Sequence, residues 1–286
     1  MSTAAGLITA LLSALALNWG WLEQHGAAQK LPTLSVRRPL WSLRLLFADR
    51  MWLVGFVTGL GGWALYVGAL LLAPLSLVQA TSAGGIGILA ALAHRRGHRV
   101  QWPVVWVAVA GLALLGASLA GGTTHGSAPP VSSVVAWLCG SAVVAALFAV
   151  TRSLAAGAGL GLAAGTLYAA GDIATKASVH GGAWLAFVPV VLLAHGVAFA
   201  VLQLGFQRGS PLATAGTSTL LTNAVPIGAG IALFNERLPG GTLGILRIAA
   251  FASVVAAAAL LSRQPSEITR AEISTLSPAL RRNSAS

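Results

Sequence analysis

Acidic residues are scarce in this chain: six Asp and Glu stand among 286 residues, against 17 Lys and Arg, and charged residues of both signs make up only 8%. A water-solvated fold of this size needs a larger polar surface, so a soluble globule is excluded. Cysteine is limited to Cys139, inside an apolar run, which leaves no disulfide framework or cysteine metal cluster and argues against redox chemistry. The ten-residue alternation of a membrane barrel is missing, and so are P-loop, nucleophile-elbow and HExxH patterns. No cofactor is expected, and the chain is not expected to be an enzyme. Met1 to Gly6 carry no Lys or Arg, so the first apolar stretch lacks the charged lead-in of a cleaved signal peptide and is expected to be retained.

What is present is apolar sequence: 56% of residues are hydrophobic and the mean hydropathy is +0.82. Runs of about 20 apolar residues, the length that crosses a bilayer core as helix, alternate with short basic clusters. The runs lie near 3–22, 51–72, 75–93, 103–121, 132–150, 155–175, 183–206, 211–234 and 241–262. The expected fold is therefore an all-α polytopic protein of about nine transmembrane helices in a cell (plasma or inner) membrane. The connection from Glu23 to Arg50 interleaves Leu34, Trp41, Leu43 and Phe47 with Arg37, Arg38 and Arg44 and is expected along the interface. The stretch 263–286, rich in Ser, Thr and Arg, reads as a disordered cytoplasmic tail.

The net charge of +11 is a matter of topology and not of nucleic-acid binding, because the bases are not gathered in one stripe. Nine spans place 14 of the 17 Lys and Arg residues in the loops and tail of one side. Lys176 and Arg237 fall on the other side, and Arg247 within a span. The positive-inside rule makes the basic side cytoplasmic and the N-terminus external. The bilayer is the expected partner, and a homodimer is compatible with such a bundle.

Short internal matches divide the chain. Leu65 to Leu75 (LYVGALLLAPL) overlays Leu202 to Leu212 (LQLGFQRGSPL), and Ala5 to Ala10 (AGLITA) overlays Ala158 to Ala163 (AGLGLA). Chance agreement in low-complexity apolar sequence competes with duplication here. Duplication gives a first four-helix repeat over 1–121, a connecting helix over 122–153 and a second, inverted repeat over 154–262. Inverted repeats let a midplane site face either side.

The Gly-rich second span running into APLSLVQ (Ala73 to Gln79), and GSPLATAGTSTLLTNAVPIGAGIALFNERL (Gly209 to Leu238) with a Pro in mid-membrane, resemble the drug/metabolite transporter superfamily. Within it the chain resembles the EamA-like and NIPA-like membrane proteins. His94 and Arg95 stand where the first repeat would carry a second Glu, Ala80 replaces a frequent Pro, and one of the usual ten helices is missing. The resemblance implies a secondary carrier or flippase with an inverted-repeat bundle, and its NIPA-like branch implies magnesium.

Polar groups within spans are the candidate pathway. Asp49, Glu267 and Glu272 fall outside the spans, and Glu23 and Glu236 at span ends, which leaves Asp172 as the acidic residue at depth, where it needs a partner or a watery cavity. Tyr168, Asp172 and Lys176 recur at four-residue spacing on one helical stripe. They form either a pathway cluster or a structural Asp172–Lys176 pair. In the eighth span Thr219 and Asn223 precede Pro226, which removes an N–H, frees a carbonyl near Thr222 and is expected to kink the helix. The neighbouring hydroxyls either satisfy the freed carbonyls or line a cavity. Gln79, Thr81 and Ser82 occupy the matching place in the first half, and Tyr66 and Glu236 complete the candidates. His195 is either a proton relay or a hydrogen-bonded interior group. Gln203 lies two turns further along the same face, and either residue is able to bond across helices. Arg247 snorkels, pairs with Glu236 or holds an anionic substrate, snorkelling being favoured. Gly55, Gly59 and Gly62, and Gly157, Gly161 and Gly165, have the spacing of close helix packing.

The leading expectation is a secondary transporter moving a small metabolite or lipid-like solute by alternating access. A magnesium carrier is the alternative within transport, thinly supported by one buried carboxylate. A non-transporting scaffold or accessory subunit, with basic loops for a partner or anionic lipid, is the alternative of another class. An intramembrane enzyme is a third option, and it lacks a paired catalytic constellation.

Overall fold

The computed structural model describes residues 3–35, 38–72, 81, 84–118, 129–151, 154, 156–178, 182–234 and 241–262. Among the described residues the regular structure is helical, with no strand. The helices are α1 (Thr3–Ala28), α2 (Pro39–Ala48), α3 (Arg50–Leu72), α4 (Gly85–Arg95), α5 (Trp102–Ser118), α6 (Val131–Val150), α7 (Ala158–Ser178), α8 (Val188–Arg208), α9 (Thr217–Ala232) and α10 (Thr242–Leu261). A 3₁₀ turn, Gly182–Phe187, leads into α8, and a π turn, Leu212–Gly216, leads into α9.

The stretches Ala4–Ala28, Val131–Val150, Gly182–Arg208 and Thr242–Leu261 are long and apolar enough to cross a bilayer, and Gly85–Arg95 and Trp102–Leu114 are shorter apolar helices. Their outer faces carry large apolar side chains, among them Leu192, Leu193, Ile245, Trp106 and Leu147, all exposed. Such a surface would aggregate in water and suits lipid. Helix α7 is built the other way. Fifteen of its 21 residues are buried, because α6, α8 and α9 all pack on it. A helix covered by protein on most sides needs fewer apolar residues, and this is why its Asp, Lys and Thr are tolerated.

Small residues set the spacing of these contacts. A Cβ on Gly20 of α1 would lie 2.6 Å from the Gly55 carbonyl oxygen of α3, and one on Gly62 would lie 2.9 Å from Leu17. Ser13 of α1 donates to the Gly62 carbonyl at 2.7 Å. Across the second half, a Cβ on Gly165 of α7 would lie 2.5 Å from the Ser218 carbonyl oxygen of α9. The glycine repeats therefore pack helix on helix, as their spacing implies.

The ends of the helices sort into two groups. The C-termini of α1, α4 and α8 meet the N-termini of α3 and α7, through Glu23 with Arg96, His25 with Gly209, Glu23 with Gly55, and Gly157 with Gly209. Lys30, Arg50, Arg95, Arg99 and Arg208 are exposed around this basic end.

The structure adds to the sequence expectations or departs from them in four places. Helix α1 continues through Ala28, so Glu23 is inside a helix and buried and does not sit at a span end. The long connection 23–50 contains a helix, α2, with Leu40, Trp41, Leu43 and Phe47 exposed. Helix α9 is continuous through Pro226, the residue expected to kink it, and an irregular π turn lies before it. Arg247, expected to snorkel, is buried in α10. Residues 263–286 and 119–128 lie outside the described residues, as do Gln79, Ser82 and Glu236.

Candidate functional site

Two polar clusters lie within the helices. The first joins α7 to α8. His195 of α8 has its Nδ1 2.9 Å from the Val191 carbonyl oxygen one turn earlier. A carbonyl only accepts, so Nδ1 carries the hydrogen and the ring is fixed with Nε2 turned away. Nε2 then faces the Asp172 carboxylate of α7 at 3.5 Å. With Nδ1–H committed, one further proton, on Nε2 or on the carboxyl group, makes this contact attractive. The ring of Tyr168, one turn before Asp172, meets the His195 ring edge to face at 5.7 Å. Gly171 makes the approach feasible, because any Cβ there would overlap the imidazole.

The pair is not sealed. The side chains of Asp172 and His195 are 44% and 38% exposed. A carboxylate turned to hydrocarbon is costly, so an exposure of this size at depth calls for a recess that water enters. The chemistry on offer there is a carboxylate, an imidazole and a phenol ring, able to hold a proton or a cationic group.

Lys176, the last member of the expected stripe, has its ammonium 4.4 Å above the Phe234 ring. Asp172 faces His195 from the neighbouring helix, a residue that the sequence offers as a candidate without pairing the two. Beside Phe234, in the cluster of Ile173 and Ala229, the indole Nε1 of Trp137 is a buried donor with no acceptor among the described residues.

The second cluster lies at the basic end. The Gln203 amide of α8 is used on both sides: Oε1 accepts from Trp52 Nε1 of α3 at 2.8 Å, and Nε2 donates to Gln24 Oε1 of α1 at 2.8 Å. All three side chains are buried, Gln203 to 1% exposure. His25 Nε2 donates to the Gly209 carbonyl at 2.8 Å, and Glu23 pairs with Arg96. Gln207 accepts from the Leu34 N–H at 2.9 Å and donates to the Ala28 carbonyl at 2.9 Å.

One comparison bears on this geometry. The chain is similar to a curated protein of Arabidopsis thaliana named "Probable magnesium transporter NIPA9". The two are 25% identical over 256 residues, 80% of this chain and 73% of that protein. No family model matches the chain, and no solved structure matches it.

The remaining candidates fall apart from the Asp172 pair. Tyr66 packs with Ala10 and Ala69 between α1 and α3. Thr81 accepts from the Gly84 N–H at 3.1 Å through its carbonyl. Thr219 and Asn223 donate to carbonyls of their own helix and the turn before it, Ala215 at 2.9 Å and Thr219 at 2.7 Å, and Thr222 donates to Ser218 at 2.9 Å. Their donors are thus used on carbonyls one turn earlier, and none of these three bonds goes to the Thr222 carbonyl that Pro226 leaves without its N–H. Gln203 does bond across helices, at the basic end and two turns from His195. Sequence reasoning missed Gln24, His25, Trp52 and Gln207, and placed Glu23 only at a span end. The available signal is the run from Asn18 to Lys30, which has no proline to end its helix until Pro32.

Proposed function

We propose that the chain is a secondary membrane transporter of the drug/metabolite type, moving a small organic solute by alternating access, with Asp172, His195 and Tyr168 as its contact site. The carrying observation is the Asp172–His195 pair, whose side chains remain 44% and 38% exposed although they lie within apolar helices. A structural ion pair would be expected to close. The similarity to a named transporter supports the class. Carboxylate and aromatic faces together suit a solute bearing an amine, whose charge meets Asp172 while its carbon frame lies on the rings of Tyr168 and His195.

The pattern of helix contacts supports nine spans in two inverted halves. In the first half α1 packs on α3 and α4, and α4 on α5; in the second, α7 packs on α8 and α9, and α9 on α10. Helix α5 meets α10, joining equivalent members of the two halves. Each half thus has the same scheme of neighbours, with α6 as connector. The basic end is cytoplasmic in this proposal.

Magnesium is the second reading, favoured by the name of the Arabidopsis relative. Asp172 supplies the kind of oxygen that magnesium takes, but a ring nitrogen beside it suits softer metals better. A thermal-shift screen of the purified protein with magnesium chloride, amino acids, nucleobases and cationic drugs separates the two. An organic amine is expected to raise the melting temperature, and Asp172→Asn to abolish the shift. Uptake of that solute into proteoliposomes should fall at least about tenfold in the variant, the equivalent of about 1.4 kcal/mol of lost interaction. Stabilisation by magnesium alone would move the assignment to the cation, and undiminished uptake by Asp172→Asn would remove the site.

A further inference from the structure

We infer that Gln203, with Gln24 and Trp52, forms a polar latch that closes the basic end of the bundle, so that the conformation described is shut at that end and open at Asp172. This inference rests on the carrier reading and adds gating residues to it.

The bonds involved all join the two halves of the chain. Gln203 to Gln24 and Gln203 to Trp52 span 179 and 151 residues of sequence, His25 to Gly209 spans 184, and Gln207 to Leu34 spans 173. All involve the C-terminal part of α8 or the turn after it, and all lie where the C-terminus of α1 and the N-terminus of α3 converge. By contrast the Asp172–His195 pair lies inside the second half and bridges nothing between halves. Burial follows the same division: Gln203 and Trp52 are 1% and 0% exposed, whereas Asp172 and His195 are half open.

The chemistry of the contact suits a gate. Each hydrogen-bonding group in the Trp52–Gln203–Gln24 relay can be satisfied by its neighbour when dry and by water when wet. An apolar seam would lack the second option and would resist opening. Helix α8 also carries His195, eight residues from Gln203 and so about 12 Å along the helix. A solute drawing on His195 therefore pulls on the same rigid element that holds the latch. The two sites need no chain of intermediates to be coupled, because one helix belongs to both.

The test reads access to the basic end without any need for transport. In a Cys139→Ala background, a reporter Ala27→Cys sits in the packed cluster beside Trp52 and Leu204, where Ala27 is buried. Labelling by a membrane-impermeant maleimide, with the basic end facing the reagent, is expected to be slow. Trp52→Phe keeps an aromatic ring and deletes the indole N–H. It leaves Gln203 Oε1 without its donor and should speed labelling at least about tenfold, the shift expected when a closed state loses its bias, with a modest fall in melting temperature. Gln203→Ala should speed it further. A drop in melting temperature with labelling unchanged in both variants would mean that the cluster is packing alone and would overturn the latch. Asp172→Asn uptake is read separately: its loss together with unresponsive labelling keeps the carrier and removes the latch, and the converse keeps the latch and removes the site.

Discussion

At Gly171 the imidazole of His195 occupies the volume that any side chain would need. Gly171→Ala should therefore push the ring off α7 and away from Asp172. Overpacking of this kind costs about 1–3 kcal/mol, and the expected result is a modest fall in melting temperature with solute binding lost as fully as in His195→Ala. Binding retained at wild-type affinity would show that contact of the imidazole with Asp172 is dispensable. Part of this site is legible in the sequence. An acidic residue at depth stands out, and four-residue spacing puts Tyr168 and Asp172 on one stripe. Spacing also offers Lys176 as partner, because it carries information only along a helix. The approach of His195 depends on how α7 and α8 register against each other, and that is fixed by Gly171, a residue with no chemistry of its own. A polar side chain in a span shows its capacity in the sequence and not whether the backbone has taken up its donor, as it has at Thr219 and Asn223.

At the scale of elements, the helices divide into those that face lipid and those that face protein, and equal glycines have unequal effects. Gly165 of α7 meets the backbone of α9 at Ser218, which has no rotamer to move aside, so Gly165→Val forces the helices apart. Gly140 of α6 has nothing within 4 Å of the place where a methyl group would sit. Gly140→Ala should be neutral or raise stability by about 0.5–1 kcal/mol through helix propensity, while Gly165→Val should lower it by about 1–3 kcal/mol. Melting temperatures in one detergent decide the matter, and equal shifts for both would contradict the packing described. Hydropathy finds most of the helix cores to within a few residues and fails where helices end in polar residues. Glu23, Gln24 and His25 look like the start of a loop because their partners, Arg96, Gln203 and Gly209, lie up to 184 residues away. Buried polar pairs lengthen a helix without raising its hydropathy. The interleaving of Leu and Arg in the connection 23–50 is plain in the sequence, and the helix there, with Pro39 at its first turn, is not.

For the whole molecule, the distribution of charge is the property that links sequence to orientation. Reading spans in order assigns 14 of 17 bases to one side, and the folded chain brings the corresponding helix ends together, with Lys30, Arg50, Arg95, Arg99 and Arg208 exposed around them. For a bundle whose bases gather at one end the positive-inside rule predicts insertion with that end in the cytoplasm, since translocating Lys and Arg loops is unfavourable. Two reporters in the Cys139→Ala background test this: Gln101→Cys at the basic end, before α5, and Ala183→Cys in the 3₁₀ turn before α8, both at exposed positions. In intact cells an impermeant maleimide should label the Ala183→Cys protein, and it should reach Gln101→Cys only after the membrane is opened. The converse pattern would invert the protein and turn the latch at Gln203 toward the outside, so that Asp172 would be the face open to the cytoplasm. Labelling of both reporters in intact cells would place two ends of the bundle on one side, which no arrangement of antiparallel halves spanning the bilayer permits.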